Sequence, residues 1–383
     1  MPRVLVVVGT RPEAIKMAPV VEALRDRGDV EARVALTGQH TDLVDQVLDA
    51  FRLDPAYDLA IMRPGQSLYD VARGCLDGLR DVVRDFKPDV LLVQGDTATV
   101  FFGALVAFFE RMRVGHVEAG LRSGDKWAPF PEEIFRRLTD QLTDYYFAPT
   151  RPAAENLRRE GVDPGRVYVT GNTVVDALLA ARDLERPVEH PVLRDVLAGG
   201  RRLVLLTAHR RESFGAPLRE LFGAVRTLAD RHEDVEVLYP VHPNPNVVGP
   251  AREILGGHAR VHLIEPLGYF DLVRALSAAA LVLTDSGGIQ EEAPTFGVPV
   301  LVLREVTERP EGVEAGVVRL VGTDRDRVLT EAEGALDGSG GWPEGGVASN
   351  PYGDGRAGER IADIVCADLL GVPRRTKDWE GPR

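Results

Sequence analysis

The sequence predicts an α/β protein built from two parallel-sheet units in series. Three observations predict it. Short apolar runs recur along the chain, each too continuous for a strand with one wet face and as expected of strands covered on both faces. Each run stops at a loop of glycine and polar residues and is followed by helical periodicity. The alternation pauses at 171–173 and restarts near 203, which reads as two units rather than one large sheet. A chain of 383 residues is long enough for two domains.

In order, residues 3–8 form a first buried strand, broken by 9–13 (GTRPE); Pro12 suits the first turn of the helix that continues over 14–25. A strand at 34–37, a helix at 42–50, a long amphipathic helix at 67–85 and a strand at 90–94 follow. Next come a helix at 99–110, a strand at 114–117, a helix at 132–143 and a strand at 145–148. Residues 167–170, then Gly171, Asn172 and Thr173, read as a hinge into the second unit, so the domains are expected at 1–170 and 171–357. Residues 183–201, with Pro187, Pro191 and two glycines, read as a loop-rich connection. The second unit has strands at 203–207, 235–241, 261–264, 281–283 and 298–303 and a helix at 217–232. Residues 337–355 read as a surface loop, 358–370 as a last helix, and the charged tail from Pro373 as frayed.

Hydrophobic residues make up 44% and charged residues 27%, as in a globular protein. A net charge of -13 argues against nucleic-acid binding. An acidic chain that binds an anion must concentrate its positive charge locally. Two distant cysteines, Cys75 and Cys366, offer neither a disulfide framework nor a zinc site, and a reducing cytosol is the simplest compartment. The N-terminal apolar run is too short for a membrane span, so no membrane partner is expected.

Ligands of such sheets sit beyond the carboxyl ends of the strands, and two units in series leave a cleft. Arg11, His40, Asp96, Glu118, His209, His242 and Ser286 all fall in strand-end loops. In residues 281–294 (LVLTDSGGIQEEAP) a buried strand ends at Asp285, Ser286, Gly287 and Gly288 and a helix begins. Free N–H groups there suit phosphate, and a carboxylate such as Glu291 or Glu292 suits sugar hydroxyls. Alone, the turn reads equally well as a helix cap closed by Ser286. Arg11, Lys16, Arg210, Arg211 and Arg309 are the cations that could clamp a diphosphate, although Arg210 or Arg211 could instead pair with Glu212. Asp96 and Glu118 end neighbouring strands, and Glu132 opens a helix, with Glu133 beside it as a dipole complement. Clustered carboxylates raise one another's proton affinity and supply both acceptor and donor. His209 precedes two arginines, which would lower its pKa unless phosphate is bound. It is the general-acid or phosphate-contact candidate; His40, His116 and His242 read as structural. No metal-binding pattern, dinucleotide fingerprint, nucleophile elbow or P-loop is present.

Six stretches resemble the bacterial non-hydrolysing UDP-N-acetylglucosamine 2-epimerases: 9–19 (GTRPEAIKMAP), 114–122 (VGHVEAGLR), 209–213 (HRRES), 285–294 (DSGGIQEEAP), 307–311 (TERPE) and 350–355 (NPYGDG). The resemblance runs nearly end to end. It implies a GT-B fold of two Rossmann-like domains with an interdomain active site, and a C-terminal segment, 358–383, that packs back on the first. It also implies a homodimer, no nicotinamide cofactor, and interconversion of UDP-GlcNAc and UDP-ManNAc. Carried over by position, Asp96, Glu118, Glu132 and His209 would be catalytic. Arg11, Lys16, Arg136, Ser286, Gly287, Gly288, Glu292 and Arg309 would hold the substrate.

The implied route is elimination of UDP to 2-acetamidoglucal, followed by its return to C1. Two departures matter. Residues 94–99 read QGDTAT where many relatives carry HGDTTT, and Leu272 stands where a phenylalanine usually meets the uracil, leaving Tyr269 or Phe270 as substitutes. Some bacterial members bind a second UDP-GlcNAc as an activator. Gln39, Arg211 and His242 fit that site, whereas Asp42 and Gly65 replace its usual Gln and Arg. A hydrolysing epimerase and a GT-B glycosyltransferase are the rival readings.

Overall fold

The computed structural model describes the chain except residues 39–41, 64, 185, 344–348 and 383. It divides into two compact units, one formed by Met1–Ala177 and Tyr352–Gly381, the other by Leu178–Pro351.

The first unit alternates β1 (Arg3–Val8), α1 (Arg11–Arg27), β2 (Glu31–Leu36), α2 (Asp42–Ala50), β3 (Pro55–Asp58), α3 (Leu68–Phe86), β4 (Val90–Gln94) and α4 (Ala98–Phe109). It continues with β5 (Arg113–Val117), α5 (Glu132–Leu142), β6 (Tyr145–Ala148), α6 (Arg151–Arg159) and β7 (Val167–Val169). The strands form one parallel sheet in the order β3-β2-β1-β4-β5-β6-β7. Helix starts are set locally. The Thr10 hydroxyl caps α1 with Pro12 in its first turn, and Ser67 and Asp70 form a reciprocal capping box on α3. Leu5 and Val7 of β1 and Leu91 and Val93 of β4 share a core with Leu79, Val82 and Val83 of α3.

After α7 (Thr173–Asp183), the second unit runs through α8 (Pro191–Ala198), β8 (Arg202–Thr207), α9 (Ala216–Arg231), β9 (Val235–Pro240), α10 (Pro245–Leu255), β10 (Val261–Ile264) and α11 (Tyr269–Ala278). It ends with β11 (Ala279–Thr284), α12 (Gly287–Glu292), β12 (Val300–Val302), α13 (Pro310–Glu314), β13 (Val318–Leu320) and α14 (Arg325–Leu336). Its sheet is also parallel, in the order β10-β9-β8-β11-β12-β13. Alternation along β8 shows why both faces are apolar. Val204 and Leu206 pack with Leu221 and Phe222 of α9, whereas Leu203 and Leu205 pack with Leu276 of α11. Both units are thus doubly wound and Rossmann-like, the pair from which the GT-B fold is built.

The chain returns to the first unit through α15 (Ala357–Leu370), which lies against α1. The approach is close: a Cβ on Gly358 would come within 2.7 Å of the Pro19 carbonyl. Arg27 Nη1 of α1 meets Asp363 Oδ1 of α15 at 2.7 Å. The tail is not frayed as expected. Trp379 is buried and donates its N–H to the Val169 carbonyl at 2.7 Å, and Asp378 Oδ2 accepts from the Val169 N–H at 3.0 Å. The tail therefore satisfies the exposed edge of β7, which would otherwise present unpaired backbone groups.

Two further expectations give way. The 183–201 connection contains α8, because Pro191 starts a helix instead of breaking the chain, and Leu193 and Val196 bury its inner face. The 337–355 loop is not all surface. Asn350 is buried and donates from Nδ2 to Thr295 Oγ1 at 3.0 Å, and Tyr352 is buried too. Among the described residues no helix is long and apolar enough to cross a membrane.

Candidate active site

In the first sheet the strand order reverses between β1 and β4, the point at which an open α/β sheet leaves a crevice beyond its strand ends. Arg11 opens α1 just after β1, Asp96 follows β4, and Glu118 follows β5. Lys16, one turn into α1, reaches Glu118 with both carboxylate oxygens at 2.9 and 2.7 Å. Glu118 also accepts from Gln94 Nε2. Its backbone is left-handed at φ 68°, which costs a non-glycine residue about 1–2 kcal/mol. Asp96 Oδ2 lies 3.0 Å from Arg136 Nη2. Glu132, the first residue of α5, is half-buried and near enough to act electrostatically on Asp96.

In the second sheet the reversal falls between β8 and β11. His209 follows β8, and Asp285 and Ser286 follow β11. Asp285 is buried and organises the junction. Its Oδ2 accepts from the His209 and Arg210 amides at 2.6 and 2.7 Å, while Oδ1 lies 3.1 Å from His209 Nδ1. The His209 ring stacks on that of His242, which is exposed, with centroids 5.5 Å apart. Arg211 is exposed. Glu212 takes Arg304 at 2.6 Å, so it is not the partner of Arg210 or Arg211.

Ser286 precedes α12 but its side chain makes no cap hydrogen bond, so the turn is not a serine-capped helix start. Its amide donates to Thr284 Oγ1 at 2.9 Å. Gly287 lies close under the Arg309 guanidinium: a Cβ would come 3.1 Å from Arg309 Cζ, and the guanidinium would have to shift slightly. Arg309 Nε is held by Glu291 Oε1 at 2.7 Å. A Cβ on Gly288 would meet nothing nearer than Glu292 Oε1 at 3.5 Å. The Phe270 ring has Arg186 over it at 4.5 Å.

Residues 22–366 match the protein family described as UDP-N-acetylglucosamine 2-epimerase. The chain belongs to that family. It is 49% identical over 370 residues to the UDP-N-acetylglucosamine 2-epimerase of Escherichia coli K12, covering 95% of this chain and 98% of that one. A crystal structure of a UDP-N-acetylglucosamine 2-epimerase from Listeria monocytogenes, described as putative, superposes with TM-score 0.90 at 44% identity, covering 98% of this chain and 99% of that one. The Neisseria meningitidis UDP-GlcNAc 2-epimerase, bound to UDP-GlcNAc, superposes with TM-score 0.80 at 40% identity, covering 96% and 100%.

Within this family frame, the electrostatics of the strand-end groups differ from what spacing alone suggests. The Asp96 carboxyl holds its proton above the usual carboxylate range chiefly because it is buried; Glu118 and Glu132 push the same way, against Arg136 and Lys16. Clustering is therefore the lesser cause. His209 is raised, not lowered: contact with the Asp285 carboxylate outweighs burial and the repulsion of Arg210. Glu133 does more than complement a helix dipole. Fully buried, it accepts from the Ser123 amide at 3.0 Å and the Gly124 amide at 3.4 Å, pinning the loop before α5. Gln39 lies outside the described residues.

Three groups around the candidate residues were not evident from the residue pattern. Asp285 orients His209, Gln94 steadies Glu118, and Glu13 is a buried carboxyl behind Asp96. Gln94 carried a signal, since it stands where many relatives have histidine. Among the described residues no group of three His, Cys, Asp or Glu side chains is placed to hold a metal ion.

Proposed function

We propose that the chain interconverts UDP-GlcNAc and UDP-ManNAc without hydrolysis. The observation that carries the proposal is the convergence of Asp96, Glu118 and Glu132 at the switch point of the first sheet, with Lys16 and Arg136 already paired to two of them. The C2 hydrogen of the intact sugar is not acidic. As the C1–O bond to UDP breaks, oxocarbenium character at C1 acidifies it, and a carboxylate takes the proton. The products of that step are UDP and 2-acetamidoglucal. A diphosphate oxygen then returns to C1 while a proton is delivered to the opposite face of C2. Two faces need two acid–base groups, which a carboxylate cluster supplies.

Arg11, Lys16, Arg136, Arg309, Ser286, Gly287, Gly288 and Glu292 hold the nucleotide in this reading, and His209 stabilises the leaving diphosphate. An arriving diphosphate offers Lys16 and Arg136 an alternative partner and so releases Glu118 and Asp96 for proton transfer. No cofactor is needed, because no net oxidation occurs. Identifying products by NMR tests the proposal. UDP-ManNAc in equilibrium with UDP-GlcNAc is expected. Free ManNAc with UDP would instead show a hydrolysing enzyme, and transfer to an acceptor would show a glycosyltransferase.

The turn at 286–288 should retain UDP while the glycosidic bond is open. Gly288→Ala leaves the fold intact, given the space around its Cβ. It is expected to leak more UDP and glycal per turnover than the wild type, measured by quenched-reaction chromatography. A rise in KM with no escaping glycal would reduce the turn to a binding loop.

Homodimerisation is part of the proposal. The first unit exposes Phe108 and Phe109 at the end of α4 and Leu138 on α5, the two helices whose Phe101 and Phe135 rings stack, and such exposed apolar residues suit a second copy. Sedimentation at the mass of one chain would remove it. A cytoplasmic setting fits the reduced, buried Cys75 and Cys366.

A further inference from the structure

Glu13 is the one carboxylate of the 9–19 stretch, and the reaction proposed above gives it no role. It is 2% exposed. Its Oε2 accepts from the Gly9 amide at 2.6 Å, and its Oε1 accepts from Thr97 Oγ1 at 2.8 Å and Thr10 Oγ1 at 3.1 Å. Thr97 directly follows Asp96 and stands at the N-cap of α4, where its hydroxyl would ordinarily accept from a helix amide. It makes no such cap bond. The hydroxyl is given to Glu13 instead, across from the end of β4 to the start of α1.

The other neighbour of Asp96 is held in the same way. The Gly95 carbonyl accepts from His116 Nε2 at 2.7 Å, and His116 Nδ1 lies 2.7 Å from Asp140 Oδ1, both side chains being fully buried. Asp96 thus sits between two backbone positions that are each fixed by a buried polar side chain. A group that must face C2 of a sugar to within a fraction of an ångström needs such fixing, because misplacement by about 1 Å can cost about 100-fold in rate.

We propose that Glu13, as a carboxylate, is a positioning residue for Asp96, holding the Thr97 end of its loop through three donated hydrogen bonds. The groups facing it are the Gly9 amide and Thr10 at the head of α1, Asp96 and Thr97 from the β4–α4 loop, and Cys75 of α3. Thr37 and Thr99, hydrogen-bonded to each other at 2.7 Å, close the far side around Gly9. No cation directly contacts the carboxylate among these. Burial and the Asp96 charge push the Glu13 carboxyl up to about 7, against the three donors. The bonding pattern is complete only when both oxygens accept. Protonation turns one oxygen into a donor and makes one of the two threonine hydroxyls reverse. The held state therefore forms as pH rises through about 7 and is lost below it.

This inference rests on the epimerase reading, and the test separates the two. The wild-type chain is assayed first for turnover of UDP-GlcNAc. A chain with no turnover fails the epimerase reading, and the role of Glu13 with it. In an active chain, Glu13→Gln mimics the protonated carboxyl. It is expected to lower kcat about 10- to 100-fold with KM little changed, and to abolish the rise of kcat between about pH 6 and 8 that is expected of the wild type. Thr97→Val, which keeps Glu13 but removes the donor, should lower kcat similarly, and Thr97→Ser should restore it. Wild-type kcat in Glu13→Gln, or a lowered kcat that keeps the wild-type pH profile, overturns the inference. If Glu13→Gln does not fold, full activity in Thr97→Val overturns it.

Discussion

Asp96→Asn is expected to abolish exchange of the substrate C2 hydrogen with deuterated water and to lower turnover about 10²- to 10⁴-fold, the range for loss of a general acid–base group. The amide keeps the size of the carboxyl and an oxygen for Arg136, so binding and fold should persist while proton transfer does not. Asp96 is the best placed of the carboxylates. It lies at the reversal between β1 and β4 and is raised by its burial, and both flanking residues are held. Unimpaired exchange in the variant would remove Asp96 from the proton-transfer set and leave Glu118 and Glu132. Glu132→Gln is the companion measurement, because Glu132 lies on α5 and not on the sheet edge.

His209→Asn should lower kcat about 10²- to 10³-fold, as when one donor to a developing anion is removed. The sign of its pH dependence follows from Asp285. A histidine whose proton is held by a carboxylate stays charged above its ordinary range, so assistance to the leaving diphosphate is full at low pH. It is lost as pH rises through the raised pKa. The same shift makes the charged ring's contribution to folding fullest below the ordinary histidine pKa, fading as pH rises through the folded value. Asp285→Asn keeps an acceptor for the His209 and Arg210 amides but removes the charge. It should move the alkaline decline of kcat to lower pH without abolishing activity. An unchanged profile would mean that Asp285 serves only the backbone.

Much of the fold was legible because the central strands are covered on both faces. Residues 3–8, 90–94 and 145–148 stand out as apolar runs for that reason, and all three are strands. The parts that were not legible depend on tertiary contacts. The three-residue strand β13 carries little pattern of its own. The tail is ordered by pairing with β7, and no local property of residues 373–381 announces that. Helix α8 was hidden because Pro191 reads as a breaker until one sees it in a first turn.

The candidate site shows the same division. That Asp96 and Glu118 end neighbouring strands could be read from the alternation of strand and helix. That Lys16 and Arg136 are already committed to Glu118 and Asp96 could not, since pairing across the sheet needs coordinates. The direction of the His209 shift was misjudged from sequence for the same reason. Arg210 and Arg211 are adjacent in the chain, whereas Asp285, which outweighs Arg210, is 76 residues away.

The elimination–readdition route is tested most directly by following UDP-GlcNAc in deuterated water by proton NMR. The expected result is UDP-ManNAc carrying deuterium at C2, with deuterium also accumulating at C2 of the recovered UDP-GlcNAc. UDP-ManNAc formed with its C2 hydrogen fully retained would contradict the route.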